Sequence, residues 1–146
     1  TRLTKDGKEF GVLKFRSMKV NAEKDGVARL SSGENDPRIT PVGRIIRKCR
    51  IDELPQLLNI LKGDMSIIGP RPVVDDEIEK YGKDKAKFLA VKPGLTGYWA
   101  ANGRSATTYE DRINMELYYV DHCSLLLDIQ IFFKTILSVL KKEGAK

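Results

Sequence analysis

The sequence predicts an α/β fold: one helix-dominated domain, residues 1–146, with a small sheet. Three observations predict it. The chain has 146 residues of which 41% are apolar, enough for one core at that length. At least four segments start at a capping residue and continue with helical apolar spacing. Strand-like composition is confined to two short stretches, residues 9–18 (EFGVLKFRSM) and 65–68.

In chain order, residues 9–18 read as a strand because their apolar side chains partly alternate. Residues 21–38 are polar, contain Gly26, Gly33 and Pro37, and read as a loop. Thr40 followed by Pro41 is a cap and a first-turn proline, so a helix spans about 41–49 and carries Arg44, Arg47 and Lys48. Pro55 is tolerated in the first turn of a helix but not deep inside one, which starts the next helix near Asp52 with Asp52 as its cap. Leu54, Leu57, Leu58 and Leu61 form its apolar face, and Gly63 stops it. A short strand at 65–68 closes on the turn Gly69-Pro70-Arg71-Pro72. Residues 75–90 form one or two polar helices broken near Gly82, and residues 92–105 (KPGLTGYWAANGRS) form a structured loop with at most a short strand. Thr108 caps a helix to about Asp121, with Glu110 and Asp111 in its first turn. Ser124 caps the last helix, to about Lys142, on which Leu125, Ile129, Phe132, Ile136, Val139 and Leu140 share one arc and Ser124, Asp128, Thr135 and Ser138 the other.

The net charge of +6 is unevenly placed. Residues 1–50 hold 13 basic and 6 acidic side chains (+7), and the remainder hold 13 and 14 (−1). That local field suits phosphates or an anionic membrane surface. No nucleic-acid-binding motif accompanies it, and aromatics are 8%. One histidine and two cysteines at no motif spacing argue against zinc. No apolar run reaches the roughly 18 residues that span a bilayer. Phosphate-loop, dinucleotide and Ser-His-Asp patterns are absent. The chain begins at Thr1, and the expectation is a fragment of a longer, membrane-associated protein.

Several residues carry two readings each. Asp52 and Glu53 are capping and first-turn acids, or a carboxylate nucleophile beside a carboxylate that holds Mg²⁺. Arg71, fixed between two prolines, is an exposed turn arginine or a bidentate phosphate ligand. Lys14 and Arg16 are polar alternation on a strand or phosphate contacts. Asp128 complements the dipole of the last helix or turns inward to a site. Trp99 beside Tyr98 packs in the core, stacks on a base or sits at a membrane interface.

Taken in order, KFRSM, TPVGRIIRKCRIDELPQLLNILKGDMSIIGPRP, KPGLTGYWAANGRS and LLLDIQIFFKTILSVLKKEGA resemble the bacterial sugar transferase family, the monotopic polyprenyl-phosphate phosphoglycosyl transferases. The resemblance runs from about residue 8 to the end. It implies transfer of a sugar phosphate from a UDP-sugar to a polyprenyl (undecaprenyl) phosphate, with release of UMP, at the cytoplasmic face of the bacterial plasma membrane. It implies further that Asp52 is a covalent nucleophile, that Glu53 supports Mg²⁺, and that Lys14, Arg71 and Asp128 belong to the site. Members carry a hydrophobic N-terminal hairpin ahead of the KFRSM segment, so the fragment without it is expected to be soluble.

Overall fold

Arg2–Leu3 (β1) and Glu9–Phe10 (β2) pair antiparallel around a tight turn whose Asp6 and Gly7 both take positive φ. The computed structural model describes residues 1–22 and 36–141. Beyond Phe10 the expected strand does not continue, and residues 11–17 run without a ladder partner. A buried side chain holds them instead. Asn59 accepts the Leu13 N–H at 3.0 Å on Oδ1 and donates Nδ2 to the Gly11 carbonyl at 2.8 Å. The Phe15 N–H then donates to the Asp52 carbonyl at 3.0 Å. A side-chain amide and a turn carbonyl offer single bonds that cannot propagate as a sheet does. Met18 regains one antiparallel bridge, to Ile39. Residues 23–35 of the expected loop lie outside the described residues.

Helix α1 (Pro41–Lys48) starts where the cap and proline place it: Thr40 Oγ1 accepts the Gly43 N–H at 2.9 Å. Gly43 lets α1 lie directly on the Lys14 segment, since a Cβ there would stand 1.9 Å from the Ser17 carbonyl oxygen. Arg50 then turns the chain through positive φ (55°) into a 3₁₀ turn, Ile51–Glu53, ahead of α2 (Gln56–Leu61). Asp52 is therefore not the cap of α2, which Pro55 precedes with no side-chain cap bond. The Asp52 carboxylate points toward Lys14 rather than to the first-turn amides, and the residue is 4% exposed. Helix α2 is inverted in polarity. Gln56 and Asn59 are buried, while Leu54, Leu57, Leu58 and Leu61 are exposed, Leu61 by 84%.

Gly63 ends this segment at φ +87°, the conformation that favours glycine. Strand β3 (Ser66–Ile68) pairs parallel with β4 (Gly94–Thr96), with Ser66 opposite Gly94 and Ile68 opposite Thr96. The crossover between them holds α3 (Asp75–Ile78), a 3₁₀ segment broken at Gly82, and α4 (Lys85–Phe88). The stretch expected as a loop over 92–105 folds more than that: after β4 come a short helix, α5 (Tyr98–Asn102), and a 3₁₀ turn, Arg104–Ala106. Its structure is tertiary in origin, because α5 packs between α6 and α7. Helix α6 (Tyr109–His122) opens with a reciprocal capping box between Thr108 and Asp111. Helix α7 (Leu125–Leu140) opens with Ser124 Oγ accepting the Leu127 N–H at 3.1 Å.

Leu3, Val73, Ile78, Tyr81 and Phe88 form one buried cluster, against which Ile113 and Leu117 of α6 pack. Ile68, Tyr119 and Ile131 form a second, against α5 and the first turns of α7. Helix α7 otherwise repeats the inversion of α2. Its polar side faces the domain: Thr135 Oγ1 lies 2.9 Å from Thr96 Oγ1, and Asp128 Oδ1 accepts the Tyr119 hydroxyl at 2.7 Å. Burial, followed by that bond, pushes the Tyr119 hydroxyl pKa up. The apolar arc faces out, with Leu125 78% exposed and Ile129, Phe132, Ile136 and Leu140 also exposed.

Candidate active site

The site forms where four segments meet: the extended run carrying Lys14, the turn carrying Asp52 and Glu53, the Gly-Pro-Arg-Pro turn after β3, and β4. Between them lies a cavity of about 220 Å³, whose wall includes Lys14, Glu53, Gln56, Arg71, Thr96 and Glu116. The turn and β4 approach so closely because both carry glycines. A Cβ on Gly94 would stand 2.1 Å from the Gly69 nitrogen, and one on Gly97 would stand 2.1 Å from the Gly69 oxygen. Hydrogen bonds use that proximity: the Gly69 N–H donates to the Thr96 carbonyl at 3.0 Å, and the Gly94 N–H to the Pro70 carbonyl at 2.8 Å.

Lys14 Nζ lies 3.6 Å from Asp52 Oδ2 and 3.6 Å from Glu53 Oε1, an ion pair with both carboxylates at longer than hydrogen-bond range. Arg104 Nη2 approaches the same Glu53 oxygen at 3.8 Å. Burial pushes Arg104 down to about 10, with Arg50 adding to the fall and Glu53 opposing it. Arg50 is lowered in the same way, burial first, and feels Glu53, Arg71 and Asp52. Lys14, Arg50, Arg71 and Arg104 thus set positive charge around two carboxylates, and Arg2 and Glu116 stand on the cavity wall with them. Basic groups outnumber acidic ones there, which suits a phosphate group. Arg50 Nη2 and Arg104 Nη1 are buried with no hydrogen-bond partner, and both residues hold positive φ (55° and 44°). Left-handed backbone and buried donors free of protein partners leave these two guanidiniums able to bind an anion.

Of the residues singled out in the sequence, Lys14, Glu53 and Arg71 line the cavity, and Asp52 lies beside it behind Lys14. Arg16 is exposed and stands outside the cavity wall. Asp128 is not brought to the cavity either, and its contact with Tyr119 ties α7 to α6. Trp99 is half-buried with two guanidiniums near its ring. Arg112 lies 4.9 Å and Arg71 5.9 Å from its ring centroid, and its Nε1–H donates to Thr107 at 2.8 Å. Arg50, Arg104, Gln56 and Glu116 were not singled out from the sequence. Lone arginines and a mid-helix glutamate have no spacing pattern, although Arg50 directly precedes the acid pair and Arg104 closes Asn-Gly-Arg.

Among the described residues no group of three or more His, Cys, Asp or Glu gathers as a metal cage. The adjacent carboxylates of Asp52 and Glu53 nevertheless fit Mg²⁺, which takes one or two carboxylates and completes its shell with water and substrate phosphate.

The sequence matches the family described as Bacterial sugar transferase over residues 1–142. It is 46% identical to the UDP-galactose-lipid carrier transferase of Erwinia amylovora and 46% identical to the undecaprenyl-phosphate galactose phosphotransferase of Salmonella typhimurium, each alignment covering 99% of this chain and 33% of the relative. It is 41% identical to the exopolysaccharide production protein ExoY of Sinorhizobium fredii, over 99% of this chain and 70% of that protein. The chain belongs to the bacterial sugar transferase family. It spans about a third of the length of the first two relatives.

Proposed function

We propose that this chain is the catalytic domain of a polyprenyl-phosphate sugar-1-phosphate transferase, which opens the assembly of a surface polysaccharide. The observation that carries the reading is the Asp52–Glu53 pair, enclosed by Lys14, Arg50, Arg71 and Arg104 beside the cavity. A UDP-sugar places its diphosphate among those cations. The Asp52 carboxylate attacks the phosphorus next to the sugar, the bond from that phosphorus to the bridging oxygen breaks, and UMP leaves with the electron pair. An oxygen of the polyprenyl phosphate then attacks the same phosphorus, and the Asp52 carboxylate departs unchanged. Two steps avoid bringing donor and acceptor anions together in one. Arg71, with its planar fork, and Lys14 hold the phosphoryl oxygens as charge builds on them. Glu53, with Asp52, would hold Mg²⁺, which would supply further positive charge near the diphosphate.

The acceptor is a lipid, and the domain has a surface for lipid. The outward leucines of α2 and the outward arc of α7 are apolar, and α1 adds exposed Val42 and Ile45 beside Arg44, Arg47 and Lys48. No helix among the described residues is long and apolar enough to cross a membrane. On this reading the exposed apolar faces, beside basic side chains, would rest on the bilayer surface. The chain should sediment with anionic vesicles more than with neutral ones, and less as salt rises. Equal sedimentation with both would remove the electrostatic part of this contact.

The whole reading is tested by restoring the full-length protein to vesicles that contain undecaprenyl phosphate and measuring UMP release from a panel of UDP-sugars. Release with at least one donor, dependent on the acceptor over many turnovers, is the expected result. No release with any donor overturns it.

A further inference from the structure

Glu116 lies in the middle of α6, beneath the Gly-Pro-Arg-Pro turn. Its side chain is almost completely buried, yet it forms part of the cavity wall. Its Oε1 accepts the backbone N–H of Arg71 at 3.0 Å, and its Oε2 is buried with no hydrogen-bond partner. Gly69 and Pro70 are tied to β4, but the Arg71 amide is tied to Glu116. The groups that face Glu116 come from every neighbouring element: Arg71 from the turn, Arg112 and Tyr109 from α6, Glu77 from α3, and Tyr81 from the 3₁₀ segment. Arg2, Lys14 and Glu53 stand on the cavity wall with it. Arg112 donates to Glu77 at 2.7 Å and stacks on Trp99 and Tyr109, while its Nε and Nη2 are buried without a hydrogen-bond partner and its charge acts on Glu116 together with that of Arg71. Fixing one backbone amide needs an acceptor oxygen, which a glutamine would also supply. A titrating carboxyl at this place does something more.

We propose that Glu116 is a positioning residue of the phosphate site: it holds Arg71 by its backbone and, through its own charge, sets how strongly Arg71 attracts a phosphate. The proposal rests on the reading of the cavity as a phosphate site. Ionised, Glu116 offsets part of the Arg71 charge. Protonated, it still accepts the Arg71 N–H on its carbonyl oxygen but leaves the guanidinium field intact. Burial pushes Glu116 up to about 7, against the Arg71 N–H and the charges of Arg112 and Arg71, with Glu77 adding to the rise. The change of charge therefore falls in the physiological range. Because an anion in the cavity favours the neutral carboxyl, anion binding and protonation at Glu116 assist each other. Anion affinity then weakens as pH rises through about 7.

The test compares the full-length parent protein in vesicles with Glu116→Gln and Glu116→Asp. The KM for a UDP-sugar that the parent turns over is measured from about pH 6 to 8.5. The parent's KM should rise about fivefold, the effect of one nearby charge in partly solvated surroundings. Glu116→Gln should remove the pH slope of KM, whatever its absolute value, and Glu116→Asp, which still titrates, should keep a slope. Melting temperature is followed in parallel, because a merely structural role would shift it and leave the pH slope untouched. Sulfate, a dianion that does not titrate in this range, provides a readout without turnover. Its protection against thermal unfolding should weaken with pH in the parent and not in Glu116→Gln. A glutamine variant with the parent's pH dependence in both readouts overturns the proposal, and so does a parent with none. A parent that releases no UMP but shows the sulfate dependence would overturn the donor reading and leave Glu116 in its role.

Discussion

In the full-length protein, Asp52→Asn should abolish UMP release, by at least about 10³-fold, and no phosphosugar adduct should be detected on the chain by mass spectrometry. The effect is expected to be chemical rather than structural. Asp52 does not cap α2, and its backbone carbonyl, which asparagine retains, accepts the Phe15 N–H of the Lys14 segment. What asparagine lacks is the nucleophilic carboxylate. Glu53→Gln should behave differently. Glu53 lines the cavity and meets Lys14 and Arg104, so its loss weakens charge and metal binding, and raising Mg²⁺ should recover part of the activity. An Asp52→Asn protein that still releases UMP at the parent rate would sink the covalent mechanism.

The second large effect is on stability. Gly94→Ala should cost about 3 kcal/mol or more and lower the melting temperature by roughly 10 °C at this chain length. The added methyl would meet backbone on every side: the Gly69 nitrogen at 2.1 Å, the Thr96 oxygen at 2.4 Å and the Gly69 Cα at 2.7 Å. No side chain there can swing away, so β3 and β4 must separate and the Arg71 turn must move with them. Gly11→Ala is the control, because a Cβ there meets nothing within 4 Å and the φ is ordinary. It should leave the melting temperature within about 1 °C. If the two alanine variants melt alike, the close approach of turn and strand is not what holds this wall together.

Local signals in the sequence were dependable where one residue decides one feature. Thr40, Thr108 and Ser124 each cap the helix that follows, Gly63 ends one and Gly82 breaks another. The failures share a physical cause, which is that the deciding partner lies far along the chain. The run through KFRSM alternates like a strand, but its neighbour is the Asn59 side chain, 46 residues from Leu13. Asp52 has the spacing of a cap, but Lys14 draws its carboxylate away. Helix α5 grows inside a glycine-rich stretch because α6 and α7 close around it. Apolar periodicity found the two faces of α2 and α7 but not their sense, since it reports that a helix is two-sided and not which side meets its own domain. Motif order singles out the acid pair, Lys14 and Arg71, of which Lys14, Glu53 and Arg71 line the cavity. Arg50, Arg104 and Glu116 come near them only in space and leave no pattern along the chain.

The pairing of Ser66 with Gly94 joins residues 28 apart. Closing a loop of that length costs roughly 3 kcal/mol of chain entropy before any contact repays it, whereas α6 and α7 begin from caps formed within three residues. The reactive side of the cavity therefore precedes its opposite wall in synthesis. A chain elongated only as far as residue 90 contains Asp52, Glu53 and Arg71 but lacks the strand at Gly94–Thr96, the cation at Arg104 and the anchor at Glu116. Its carboxylates emerge in company with Lys14, Arg50 and Arg71 only, and the order of translation itself leaves the cavity without its β4 wall, Arg104 and Glu116 until the second half has emerged.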